Sequence, residues 1–411
     1  MNTWLDRGDL GPAWVVEHGL LRRGAREELL RSSLATRIDC AWAADVELRP
    51  GFVNAHTHLY SGLAPLGMPA PKRAPDTFLQ ILERVWWRLD RALDARALRA
   101  SARLALAEGL LAGTTSFVDH HESPEFVDGS LDVLAECAEE LGARLVVTYG
   151  ATERNGGREE ARRGLEECAR FVRANASSPV RGLVGLHASF TVGDDTLREA
   201  GELARELGVP VHVHVAEDWT DVADAHERGY DGALGRLLAC DALPKGSILA
   251  HGVHLTVDEV RRASELGLWL VQNPRSNEGN KVGYPRALVA SANVALGTDG
   301  WPADMRVERD ALFRLGTQNG DARAALDARV DAGRRLVGAL TGAKLGAIED
   351  GASADVILGA PNAPPRHVLV AGRVVVRNGE LVTADLERLR SEARFEAARL
   401  WPRMSALPEP A

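Results

Sequence analysis

Lysine is nearly missing: Lys72, Lys245, Lys281 and Lys344 are the only four in 411 residues. The basic side chains are otherwise arginine, which reads as codon bias of the source genome. With a net charge of −9 and no basic cluster, the chain offers little to a nucleic-acid backbone. Cysteine is scarce as well. Cys40, Cys137, Cys168 and Cys240 stand far apart, with no CxxC pair and no histidine at finger-like spacing. That pattern excludes a disulfide scaffold or a zinc finger and suits free thiols in a reducing cytosol. No apolar run approaches the ~20 residues of a membrane span. Residues 1–14 lack the basic segment and apolar stretch of a secretory signal. The expected setting is cytoplasmic, with neither nucleic acid nor membrane as a partner.

What the chain has is a regular alternation. Eight short apolar runs, at residues 53–58, 114–120, 143–150, 180–188, 210–217, 247–254, 268–274 and 294–300, are rich in Val, Leu and Thr. Such runs read as strands buried on both faces. Amphipathic stretches lie between them, for example 131–141 and 196–207, each followed by glycine, a common helix stop. Eight βα units predict a (β/α)₈ TIM barrel over residues 51–345. Residues 1–50 and 346–384 hold short strand-like pieces separated by turns such as Asn378-Gly379. They predict one small β-sandwich domain built from both termini. Residues 385–411 read as a surface helix and tail.

The polar residues of note fall at the carboxyl ends of the expected strands, where barrel enzymes keep their active sites. The first strand ends His56-Thr57-His58, and positions i and i+2 of a strand face the same way. The fifth ends in His212 and His214, with Glu217 at the first loop position. The sixth carries His251, and the eighth ends in Asp299. An aspartate closing an apolar strand is costly to bury without a partner. A metal ion held by His56, His58, His214 and Asp299 supplies one. His212 points inward but deeper, which suits a supporting histidine.

These segments resemble the amidohydrolase superfamily, in its branch of aromatic-heterocycle deaminases and chlorohydrolases. The resemblance rests on Pro50-Gly-Phe-Val-Asn-Ala-His-Thr-His58, His214-Val-Ala-Glu217, Leu249-Ala-His-Gly-Val-His-Leu255, Asn273-Pro-Arg-Ser-Asn277 and Gly297-Thr-Asp-Gly300. It continues in Gly346-Ala-Ile-Glu-Asp-Gly-Ala-Ser-Ala-Asp355 and Val368-Leu-Val-Ala-Gly-Arg-Val-Val-Val-Arg377, and spans about residues 14 to 385. Within the branch, Pro69-Ala-Pro71, residues 82–90 and Asp119-His-His121 are most similar to aminohydrolases associated with selenium and purine catabolism. One departure is an amino-terminal β region shorter by about a strand than the family's.

The resemblance implies hydrolytic deamination of an amino-substituted heterocycle, such as a purine or pterin, with one divalent ion, zinc or alternatively iron. It implies that Asp299 takes a proton from water, that Glu217 protonates the ring nitrogen next to the attacked carbon, and that His251 orients the nucleophile. His187, His120, His121 and Asn277 are the expected substrate contacts. Trp86 and Trp87 are expected to pack in the core or a dimer contact, with a stacking wall as the alternative. A single ion is expected because the fourth strand ends Gly185-Leu-His187-Ala188, with no lysine to carry a bridging carboxylate. Three other readings use the same residues: chloride displacement, opening of a cyclic amide, and a non-catalytic scaffold. The last would be expected to have lost ligands, and none is missing. Cytidine-deaminase-type zinc chemistry is excluded, since no HxE is followed by PCxxC. A homodimer is the expected assembly.

Overall fold

The computed structural model describes residues 3–6, 13–24, 36–39, 46–175 and 180–409. Eight parallel strands form a (β/α)₈ barrel: β1 (Phe52–Thr57), β2 (Thr114–His121), β3 (Arg144–Ala151), β4 (Val184–Ala188), β5 (Val211–Val215), β6 (Ile248–His251), β7 (Trp269–Gln272) and β8 (Val294–Leu296). They are hydrogen-bonded in sequence order from β1 to β8. β8 is short, so closure is completed just beyond it. Thr298 and Asp299 N–H both donate to the His56 carbonyl, at 2.9 and 3.0 Å, and His58 N–H donates back to the Asp299 carbonyl at 3.2 Å.

Several expected strands are shorter in the structure. The fourth run is interrupted, with Arg181–Gly182 pairing to β3 before β4 begins. The sixth stops at His251, where φ of 74° at His251 and 60° at Gly252 turns the chain out of the sheet. At the carboxyl ends of the barrel strands, three non-glycine residues hold positive φ: Ala216 (48°), His251 (74°) and Asp299 (53°). Such conformations are unfavourable for residues with a Cβ and concentrate where function requires them.

The helices expected at 131–141 and 196–207 are Ser130–Leu141 and Asp194–Leu207, closed by Gly142 and Gly208 in the left-handed region. Helix Leu386–Ala406 is capped by Asp385 and buries Leu389, Ala393, Ala397, Leu400 and Met404. At the base of the barrel, Val53, Ala55, Val118, Val146, Ile248, Val271 and Ala295 form a layer of apolar side chains under the site.

Outside the barrel, Thr3–Asp6, Ala13–Glu17, Leu20–Gly24 and Thr36–Asp39 make one four-stranded sheet. Glu47–Pro50 joins Val356–Gly359, His367–Val370, Arg373–Arg377 and Glu380–Leu381 in a five-stranded antiparallel sheet. Leu5, Trp14, Val16 and Leu21 of the first sheet share a core with Val356, Leu358 and Leu369 of the second, as in a sandwich. Asn378 and Gly379, at φ of 53° and 83°, form the expected hairpin turn. Cys40 lies outside the described residues. Cys137, Cys168 and Cys240 are free and buried.

Gly185 on β4 marks the closest approach between strands. A Cβ there would lie 2.2 Å from the Tyr149 carbonyl oxygen and 2.5 Å from the Thr148 hydroxyl. Gly185→Ala is therefore expected to destabilise the fold by about 1–3 kcal/mol, the usual cost of overpacking. Thermal unfolding reads this directly; an unchanged midpoint would show that β3 and β4 separate without cost.

Candidate metal centre and active site

Strand geometry brings the predicted ligands together. Asp299 Oδ1 lies 2.8 Å from His58 Nε2 and 3.2 Å from His56 Nε2. His58 Nε2 is 3.2 Å from His214 Nε2. These short separations gather donor atoms of His56, His58, His214 and Asp299 into one cluster of the kind that holds a cation. His56 Nε2 is buried and makes no hydrogen bond to the protein, and the same holds for His251 Nε2. The donor atoms of His56, His214, His251 and Asp299 all fall within 4.8 Å of one another.

The surrounding hydrogen bonds aim these donors. His58 Nδ1 donates to the His120 carbonyl at 2.5 Å, and His214 Nδ1 donates to the His187 carbonyl at 2.5 Å. Each ring thus keeps its hydrogen on Nδ1 and turns the Nε2 lone pair into the site. His56 Nδ1 meets His212 Nε2 at 3.0 Å, which gives His212 a supporting position. Burial pushes His56 down to about 3, although Asp299 opposes it, and burial first of all lowers His214 well below the usual histidine range. Neutral imidazoles are the form that binds a metal. Asp299 Oδ2 accepts from the Ser276 hydroxyl. Burial opposes its ionisation, but His56 and His58 hold its carboxyl well below the usual range.

Two further groups face each other beside this set. His251 Nε2 is 3.4 Å from Glu217 Oε2. His251 Nδ1 donates to Asn277 Oδ1 at 2.9 Å, which leaves Nε2 a bare acceptor. Asn280 Nδ2 donates to Glu217 Oε1 at 3.4 Å. Burial and then the Asp299 charge push Glu217 well above the usual carboxylate range.

A cavity opens onto the donor set. Tyr60, Phe78, Leu82, Trp86, Trp87 and Phe190 supply its apolar walls, and Glu122, His187, Glu217, Asp218, Asp221 and Asn280 its polar ones. Trp86 and Trp87 line the cavity, as in the stacking-wall alternative, and Trp86 also packs against the main apolar core. A π-helical turn, Leu82–Trp86, leads into this face.

The four expected substrate contacts divide. His187 lines the cavity. His120, His121 and Asn277 do not, because each is buried and engaged elsewhere. His120 Nε2 donates to the Leu186 carbonyl at 3.0 Å, His121 Nε2 meets the Ser123 hydroxyl at 2.7 Å, and Asn277 holds His251. Sequence reasoning missed Glu122, Ser276 and Asn280. Glu122 carried a signal, since it stands two residues after His120 at the end of β2 and shares its side of the strand.

The chain matches the Amidohydrolase family over residues 48–375 and belongs to it. It is 31% identical to a 5-methylthioadenosine/S-adenosylhomocysteine deaminase of Halobacterium salinarum, over 95% of this chain and 96% of that one. A 5'-deoxyadenosine deaminase of Methanopyrus kandleri is 29% identical, over 85% and 86%. Among solved structures, an adenosine deaminase from Xanthomonas campestris with bound zinc superposes with a TM-score of 0.81 at 23% identity, over 97% of this chain and 98% of that one. The atrazine chlorohydrolase of Arthrobacter aurescens, complexed with zinc, gives 0.77 at 19%, over 96% and 100%. At those identities the two structures speak for the fold alone.

Proposed function

We propose that this protein hydrolytically deaminates an amino-substituted heterocycle, a purine, pterin or related ring, at a single divalent metal site. The ligands are His56, His58, His214 and Asp299, and zinc is the proposed ion. The observation that carries the reading is the placement of the buried Glu217 carboxyl 3.4 Å from the bare Nε2 of His251 beside that donor set. A divalent cation held by these residues would lower the pKa of a bound water from about 15.7 towards about 7 and so would supply hydroxide at neutral pH. Asp299 accepts the proton that water releases. His251 Nε2, fixed by Asn277, accepts a hydrogen bond from the nucleophile and orients it. Glu217 delivers its proton to the ring nitrogen beside the attacked carbon, which lets that carbon become tetrahedral. Trp86, Trp87 and Phe190 give a flat ring apolar faces to stack on and exclude water.

The curated relatives, all named as deaminases of adenosine derivatives, support this reaction class. A single ion is favoured because β4 carries His187 next to its end and offers no lysine to bridge two. No helix among the described residues is long and apolar enough to cross a membrane. The free buried thiols agree with a cytoplasmic setting, and a homodimer is the proposed assembly.

An ammonia-release screen over purines, pterins and triazines tests the reaction. At least one aminated ring should yield ammonia stoichiometrically with its hydroxylated product. Chloride release or ring opening, with no ammonia from any aminated ring, would overturn the assignment.

A further inference from the structure

Three carboxylates besides Glu217 and Asp299 line the cavity. Two are occupied. Asp218 caps its helix, accepting from Thr220 N–H at 3.0 Å and the Thr220 hydroxyl at 2.7 Å. Asp221 accepts from Ala216 N–H at 2.5 Å and from the Ser189 hydroxyl. Glu122 is only half used. Its Oε1 lies 2.6 Å from His120 Nδ1, but its Oε2 is buried with no hydrogen-bond donor. The nitrogen nearest to Oε2 is His58 Nδ1 at 3.4 Å, and its hydrogen is given to the His120 carbonyl. His120 Nε2 donates to the Leu186 carbonyl, so the one remaining proton lies between His120 Nδ1 and Glu122 Oε1. Wherever on that line it sits, Oε2 keeps a lone pair and lacks a donor. A buried acceptor without a donor is destabilising, so a bound molecule is expected to bring one.

The position of Oε2 limits what that donor is. Ligand atoms of Glu122, His187 and His214 lie within 4.8 Å of one another, so Glu122 stands beside the reacting centre. It belongs to the β2 end, against His58 of β1 and His120. Glu217 lies on the far side of the barrel mouth, against His251 of β6 and Asn280 beyond β7. A flat ring spanning the two presents one flank of its reacting carbon to Glu217 and the other to Glu122. Glu217 carries a proton and needs a bare ring nitrogen. Glu122 needs a hydrogen.

We propose that Glu122 is a specificity-determining residue that accepts a ring N–H, so that the preferred substrates carry their amine on a carbon flanked by one bare nitrogen and one N–H. That is the amino-lactam unit of guanine, pterin and other 2-amino-4-oxopyrimidine rings. The inference rests on the deaminase reading above and narrows it. In an adenine nucleoside the amine-bearing carbon is flanked by a bare nitrogen and a ring carbon, and glycosylation leaves no ring N–H. The sugar hydroxyls stand more than a ring's width from that carbon, out of reach of Glu122 in the reacting pose. Aminotriazines flank the carbon with two bare nitrogens. A Glu122 that needs a ring N–H therefore disfavours adenosine-type substrates in this site.

The test measures kcat/KM for ammonia release from guanine, pterin, 2-aminopurine and adenosine, with the wild-type enzyme and with Glu122→Gln. 2-Aminopurine keeps the amine of guanine but has bare nitrogens on both flanks. The wild type should prefer guanine or pterin over 2-aminopurine and adenosine by at least about 10²-fold, because a site built to bond an N–H rejects a ring without one. Glu122→Gln has the same shape but presents no carboxylate. It should cut that preference at least about tenfold while metal content and thermal midpoint stay at wild-type values. Equal turnover of 2-aminopurine and guanine by the wild type would overturn the inference, and this comparison needs no variant. So would an undiminished preference in a folded, metal-replete Glu122→Gln. Ammonia from the bare-flanked rings alone would refute the role of Glu122 and leave the deaminase reading standing. Failure of every ring to release ammonia would remove both.

Discussion

Glu217→Gln should lower kcat by about 10²–10⁴-fold, the usual contribution of a positioned general acid, while leaving metal content and KM near their wild-type values. The amide keeps the shape of the side chain and its bond to Asn280, so the cavity wall is preserved. What it loses is the transferable proton that burial and the Asp299 charge keep on this carboxyl. A fall in kcat with KM held marks a group that acts in the transition state and not in binding. A kcat within a few-fold of wild type would take Glu217 out of the reaction.

Removing the metal with a chelator should abolish turnover and leave the barrel folded, and added zinc should restore activity. Turnover depends on hydroxide at neutral pH, which water with a pKa of about 15.7 does not supply unaided. The barrel does not depend on the ion in the same way. The apolar layer of Val53, Ala55, Val118, Val146, Ile248, Val271 and Ala295 contains no ligand, and closure between β1 and β8 is made by backbone hydrogen bonds. Far-UV circular dichroism should therefore stay near the holo spectrum, with the thermal midpoint lowered only by the lost binding linkage. Loss of secondary structure on chelation would make the ion structural. Full activity in metal-free protein would refute the site.

The barrel was legible because each strand is buried on both faces, so its residues read as uninterrupted apolar runs. The proposed metal ligands were legible because a histidine or aspartate ending such a run has no other obvious partner. Strand ends were less so. Where the sixth run stops depends on the positive φ of His251, which its side chain does not announce. The roles of His120 and His121 could not be separated from the dipeptide either. β2 is buried along its whole length, so polarity does not tell its inward face from its outward one. Only the assembled barrel shows His120 packed behind His58 and His214, and His121 turned towards Tyr60 and Tyr149. For Trp86 and Trp87 the sequence left core packing and a stacking wall both open, and the π turn at Leu82–Trp86 that leads into their cavity face is not announced by residue type.

Glu47–Pro50 is hydrogen-bonded to Val356–Gly359, and Arg49 reaches the Pro361 carbonyl 312 residues further along. A ribosome extends a chain at about 5–20 residues per second, so the edge offered by Glu47–Pro50 waits on the order of tens of seconds for its partner to emerge. During that time the segment leading directly into β1, with two metal ligands at its end, has no neighbour on that side. Newly made chains halted before Val356 should therefore hold an open strand edge next to the incomplete site. That interval, more than the finished enzyme, is when the open edge is a liability for pairing with other chains.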